Sequence, residues 1–215
     1  MPSLSKWVKV NMKLGTLGTA VPISGITLAS PAVVSYTGTD PTDGNYLAMT
    51  SIQGMDAIAD RIFRADNTNG AGDTTELEGV DSTAFDAFVS GNFQPITFGN
   101  TLQTIIDPGA GGGVFDFIDT SVVHKGIKTQ IPNMADPVIF NMRSQWDPGD
   151  AALAALAAAS EAQTLRALLL TFGNGYKTLA LGYVGATLVP TGSVGTLVET
   201  PVVFTAAGLI TNYTT

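Results

Sequence analysis

Residues 164–189 read TLRALLLTFGNGYKTLALGYVGATLV. Two runs rich in Leu, Val, Thr and Tyr flank Gly173-Asn174-Gly175. A short glycine-containing loop between β-prone runs is a hairpin signal, so the stretch predicts antiparallel strands over residues 164–172 and 176–189. Pro190-Thr191-Gly192 then turns the chain into another strand over residues 196–207. Pro201 lies inside that strand and predicts an edge position or a bulge, because proline brings no N–H to a central ladder.

Upstream of the hairpin, residues 138–144 alternate, with Val138, Phe140 and Met142 on one face. One helix follows. Asp147 suits its N-cap, Pro148 its first position, and Asp150 a site where the helix dipole favours an acid. Residues 151–159 are almost all strong helix formers, with Leu153, Leu156 and Ala157 as the apolar stripe. Residues 96–106 and 114–119 read as strands around a glycine-rich turn over 107–113. Residues 5–12 alternate like a half-buried strand, followed by a Gly/Thr/Pro linker to about residue 23. From there, short strands over 32–37, 46–51 and 75–77, with a polar-apolar stretch around 61–65, are split by turn signals such as Asp40-Pro41-Thr42-Asp43-Gly44, a spacing that predicts a small barrel or sandwich. The fold class is mainly β with a single packed helix.

Composition narrows the function. Of 215 residues, 45% are hydrophobic and 13% charged, which is enough apolar material for a real core. Cysteine is absent, so neither disulfides nor thiolate chemistry is available. The net charge of −8 is local: residues 24–92 hold ten acids against Arg61 and Arg64, while the rest of the chain is balanced. Nucleic-acid binding without sequence preference needs clustered Lys and Arg, and there is no such cluster. Residues 151–172 are apolar but interrupted by Glu161 and Arg166, which argues against a membrane span. The N-terminal segment lacks an apolar core of signal-peptide type.

Sites of chemistry are thin. His124 is the sole histidine, and no Gly-x-Ser-x-Gly occurs, since Thr191 precedes Ser193 where the first glycine should stand. A phosphate cradle at Gly109–Gly113 fails because Val114 takes the last glycine position and a strand follows. Asp66, Thr68 and Asp73 lack the spacing and the closing bidentate Glu of a calcium loop. Glu76 and Glu78 share a strand face, which an acidic exposed surface explains without glycoside hydrolysis. Zinc has too few ligands. The sequence therefore predicts no catalytic, cofactor or metal residues, and no enzyme.

The order of several motifs is more telling. Ile118-Asp119-Thr120-Ser121, Lys128-Thr129-Gln130-Ile131-Pro132, Phe140-Asn141-Met142 and Trp146-Asp147-Pro148 precede the helix. Leu170-Thr171-Phe172-Gly173-Asn174-Gly175, Gly182-Tyr183-Val184-Gly185 and Leu188-Val189-Pro190-Thr191-Gly192 follow it. This series, over residues 96–215, resembles the core of siphophage major tail tube proteins. Pro31-Ala32-Val33-Val34, Gln53-Gly54-Met55, Arg61-Ile62-Phe63-Arg64-Ala65 and Glu76-Leu77-Glu78-Gly79 resemble the small FCCH-like β-module of phage structural proteins, with an added loop at Asn67–Gly72.

The resemblance implies a tail-tube β-sandwich or barrel from residues 1–23 and 93–215, with residues 24–92 inserted. It implies a virion structural protein that polymerises into stacked, hexameric rings. Its partners are then further copies of itself and the tape measure, tail terminator and tail-tip proteins. DNA passes through the lumen without specific binding, and no membrane is involved. The location is the virion tail, after assembly in the host cytoplasm. The acidic module is expected to project outward and to be dispensable for tube building, with the helix covering the outer side of the sheet. The other function class is a tail-tip or decoration β-protein that binds a host receptor or surface carbohydrate through the acidic module.

Overall fold

The computed structural model describes residues 9–122, 124 and 126–214. Residues 5–8 of the expected N-terminal strand fall outside them. The strand present there, β1 (Asn11–Leu17), leads into β2 (Val21–Ile26), so the linker expected to residue 23 is largely strand.

A barrel follows, made by β2 with β3 (Ala32–Tyr36), β4 (Tyr46–Gln53), β5 (Ile62–Asn69), β6 (Thr74–Leu77) and β7 (Ser90–Thr101). The strands run β2-β3-β6-β5-β4-β7, and β7 pairs back onto β2 at Phe93 opposite Val21. This closure leaves no open edge in the barrel. Alternation drives it: in β3, Ala32, Val34 and Tyr36 point inward while Val33 and Ser35 do not. Tyr36 meets Phe93 edge-on at 5.3 Å in a core shared with Val34, Leu47, Met49 and Leu77. The boundaries expected at residues 24 and 92 fall within β2 and β7.

β7 runs on past the barrel into a second sheet. Its order is β7, β1, β12 (Arg166–Thr171), β13 (Lys177–Ala186), β14 (Glu199–Ala206), β11 (Ile139–Gln145) and β8 (Ile105–Gly111), with β15 (Thr211–Tyr213) also on β13. The β12–β13 hairpin forms as its sequence predicts. Thr171 pairs with Lys177, the Phe172 N–H donates to the Tyr176 carbonyl at 2.8 Å, and Gly175 takes φ +87° in the loop. One face of this sheet (Met12, Leu14, Leu168, Leu170, Val202, Phe204) is covered by α1 (Ala151–Glu161) through Ala152, Leu153, Leu156 and Ala159. On the other face, Ala167, Leu169, Leu179, Leu181 and Tyr213 pack against Ala48 and Ile62 of the barrel and Ile96 of β7. Barrel and sheet thus share a third core.

Three local expectations change. Asp150, not Asp147, caps α1: its carboxylate accepts from Ala152 N–H at 2.8 Å, while Asp147 accepts from Gly149 N–H in the turn before. Pro148 consequently lies outside the helix. Residues 107–111 form strand rather than turn: the outermost position of β8 tolerates Pro108, and beyond Gly112 and Gly113, both at positive φ, the chain runs on without reversing. Finally, β14 is internal to the sheet. Pro201 is accommodated because it lies one residue beyond the last β13 pair, Ala186–Val202. Glu199 exchanges both backbone bonds with Thr191, so period-two alternation aims the missing N–H of Pro201 to that side, where the β13 ladder has ended.

Candidate assembly surfaces

Between β8 and β11 the chain leaves the sheet as a separate hairpin, β9 (Phe115–Asp119) with β10 (Gln130–Ala135). Its far end is tied by the Ile-Asp-Thr-Ser element. Thr120 N–H donates to the Thr129 carbonyl at 2.8 Å, Ser121 N–H to the Asp119 carboxylate at 2.8 Å, and Thr129 N–H to the Ser121 hydroxyl at 3.1 Å. Successive strand residues face opposite sides, yet Phe115 and Phe117 on one side and Ile118 on the other are all exposed. Ile127 is 78% exposed and Met134 79%. A two-stranded ribbon alone is marginally stable in water, and an apolar one gains from being covered.

The second surface lies on the sheet. Cross-strand register places Tyr183 opposite Thr205, Val203 opposite Asn141, and Pro201 opposite Arg143, which in turn faces Asp107 of β8. These residues occupy the face turned away from α1, beyond the reach of the barrel. Tyr183, Asn141, Arg143 and Asp107 are exposed. Arg143 bridges three strands, donating to Asp107 at 2.9 Å and to Glu199 at 3.0 Å. Exposed pairs of this kind add little stability, but here one cation stands between two carboxylates, so the cluster stays anionic. The third surface is the outer edge of β8, the end of the strand path.

The residues singled out for chemistry do not converge. His124 is exposed near the end of the ribbon. Gly109 and Gly111 are strand residues with no helix after them. Asp43 accepts from Thr68 N–H at 2.8 Å, tying the loop before β4 to β5, and Asp66 accepts from the next residue, Asn67 N–H, at 2.9 Å. Among the described residues no group of three acids or histidines is placed to hold a metal ion. Glu76 accepts from the Asn67 amide at 2.8 Å, whereas Glu78 takes both prongs of the Arg64 guanidinium, which holds its carboxyl below the ordinary range. Tyr36 donates to Asp40 at 3.0 Å; burial, reinforced by that acceptor, pushes its phenol up to about 12. Arg61 donates to the Ala57 carbonyl at 2.9 Å and lies over the Phe63 ring. Among the described residues no helix is long and apolar enough to cross a membrane.

The ribbon's Ile-Asp-Thr element is legible in the sequence, but the Asp107–Arg143–Glu199 cluster is not. Its members are separated by 36 and 56 positions, so only the pairing of β8, β11 and β14 brings them together.

In comparison with known families, a family model described as "Phage tail tube protein, TTP" matches residues 53–215. No curated protein matches the chain.

Proposed function

Since the chain belongs to the phage tail tube protein family, a structural component of the virion tail that self-assembles into a tube with other tail proteins, we propose how it does so. Copies join side by side into rings of six, and the rings stack. The observation that carries this reading is the sheet that stops without closing. β8 presents an open edge, and the face bearing Tyr183, Asn141 and Arg143 has no cover. An open edge of this kind is a liability in a lone subunit, and symmetric closure removes it. In the ring the uncovered face becomes the wall of the lumen.

That wall suits the passage of DNA. Its side chains are mainly polar and small, and Arg143, its one cation among the described residues, is held between Asp107 and Glu199. Phosphates meet no free cation there, so DNA slides without specific binding. The helix α1 then lies on the outer side of the wall. The acidic barrel, read as the module inserted at residues 24–92, packs on the opposite face at the β12 end of the sheet. The twist of the sheet turns that end away from the lumen, so that the barrel projects outward. There its charges are screened within about 10 Å at 0.1 M salt instead of repelling one another across a lumen. The ends of the tube meet the tape measure, terminator and tip proteins, with assembly in the host cytoplasm. No catalysis is required of any of these roles.

The test is electron microscopy of the concentrated protein, alone and seeded with its tail partners. Hollow tubes of uniform bore are expected. A protein that stays monomeric under both conditions overturns the proposal.

A further inference from the structure

We infer that Asn69 is a site of spontaneous covalent modification, where the folded chain converts its own asparagine to aspartate and isoaspartate. The sequence contains two Asn-Gly steps, Asn69-Gly70 and Asn174-Gly175. Each lies at the turn of a β-hairpin, the first between β5 and β6 and the second between β12 and β13. Glycine has no Cβ to shield its nitrogen. That nitrogen, on giving up its proton, can attack the side-chain amide carbon of the asparagine before it. The new C–N bond closes a five-membered imide, and ammonia leaves with the amide nitrogen and the proton that glycine gave up. Water then opens the imide at either carbonyl. One opening gives aspartate, the other isoaspartate with the backbone routed through the former side chain.

Exposure does not separate the two steps, since Asn69 and Asn174 both face water. The turns do. At Asn174 both reacting groups are tied. The Gly175 N–H donates to the Phe172 carbonyl at 2.9 Å, and the Asn174 side-chain oxygen accepts from the Tyr176 N–H at 3.1 Å. Closing the imide there means giving up both bonds. In the β5–β6 turn the corresponding bond runs from the Gly72 N–H to the Asn69 carbonyl at 3.1 Å, one residue beyond the nitrogen that reacts. Among the described residues neither the Gly70 N–H nor the Asn69 side-chain amide makes a hydrogen bond. Nucleophile and electrophile are both free at Asn69 and both held at Asn174.

The product adds a negative charge to a hairpin that already carries Asp66 and Asp73. The Asp40 carboxylate also stands against Gly70, so close that a Cβ there would run into it. The change therefore raises the repulsion within the acidic barrel. A tail component is not replaced once the particle is built, so modified copies accumulate as the particle ages.

The second Asn-Gly step is a control within the same molecule. The full chain is incubated in mildly alkaline buffer, folded or in urea, and both sites are followed by peptide mapping and mass spectrometry. In the folded protein Asn69 is expected to convert about tenfold faster than Asn174 or more, the factor for giving up one or two hydrogen bonds. In urea the two rates should come together. Asn69→Gln, whose longer side chain closes a ring far more slowly, should remove the new acidic species seen on isoelectric focusing, and Asn174→Gln should leave it. Asn174 converting as fast as Asn69 in the folded protein overturns the inference. So does the same ratio of rates folded and unfolded, or an Asn69 still intact when the unfolded chain has converted. None of these readings depends on assembly, so the inference and the ring proposal stand or fall separately.

Discussion

The hydroxyl of Tyr213 accepts a 2.8 Å hydrogen bond from the backbone N–H of Arg64, 149 positions earlier in the chain. The Arg64 guanidinium also lies over the Tyr213 ring, 4.9 Å from its centre. Together they fasten β15, at the C-terminal end, to the barrel. Tyr213→Phe should cost about 1–3 kcal/mol, because it leaves a largely buried N–H without an acceptor. Urea unfolding measures this. A cost near zero would mean that water replaces the hydroxyl.

Gly182 and Gly185 lie in one strand yet should respond differently. A Cβ on Gly182 runs into the Thr205 carbonyl of the adjacent strand, whereas on Gly185 the nearest atom is 3.8 Å away. Gly182→Ala is expected to destabilise by about 1–3 kcal/mol, as overpacking does, and Gly185→Ala by far less. Melting the two variants side by side decides it, and equal losses would place the crowding elsewhere.

The cap of α1 can be assigned by mutation. Asp150→Ala should cost about 1 kcal/mol, and it also removes the acceptor of the Thr104 hydroxyl. Asp147→Ala should cost less, since that carboxylate holds only the turn. The opposite ranking in chemical denaturation would return the cap to Asp147.

Acid should loosen the barrel through Glu78. Its folded-state pKa lies below the ordinary value because of Arg64, so the pairing contributes stability above about pH 4.5, which is lost as the pH falls through the depressed pKa. Glu78→Gln should therefore be less stable than wild type at pH 7, with the gap narrowing below about 4.5. A gap independent of pH between 7 and 3 would show that the pair is not the source.

The shared core bears on the barrel's dispensability. Replacing residues 24–92 by a Gly/Ser linker uncovers Ala167, Leu169, Leu179 and Leu181, which pack against Ala48 and Ile62. The shortened chain is expected to aggregate, and Leu169→Thr with Leu181→Thr to recover soluble protein. Soluble, tube-forming protein without those changes would show that the joint carries little of the stability.

Local rules were sufficient where neighbours in sequence are neighbours in space. The β12–β13 hairpin, β11 and the alanine-rich helix are legible for that reason. β8 was not, because Pro108 and its glycines read as a turn until β11 is there to pair with them. The alternation of Ile62 and Leu169 said that both are buried but not that they share a core. The same limit hid Arg143, whose two acidic partners arrive on different strands.

β7 is a single strand of twelve residues that belongs to the barrel at its start, opposite Val21 and Met49, and to the second sheet at its end, opposite Lys13 and Leu17. A barrel hung on two coil linkers would swing freely. One held by a common strand transmits load instead. A push on the barrel reaches the sheet along the backbone and through ladders strained in shear, so bending or twisting at one is felt by the other.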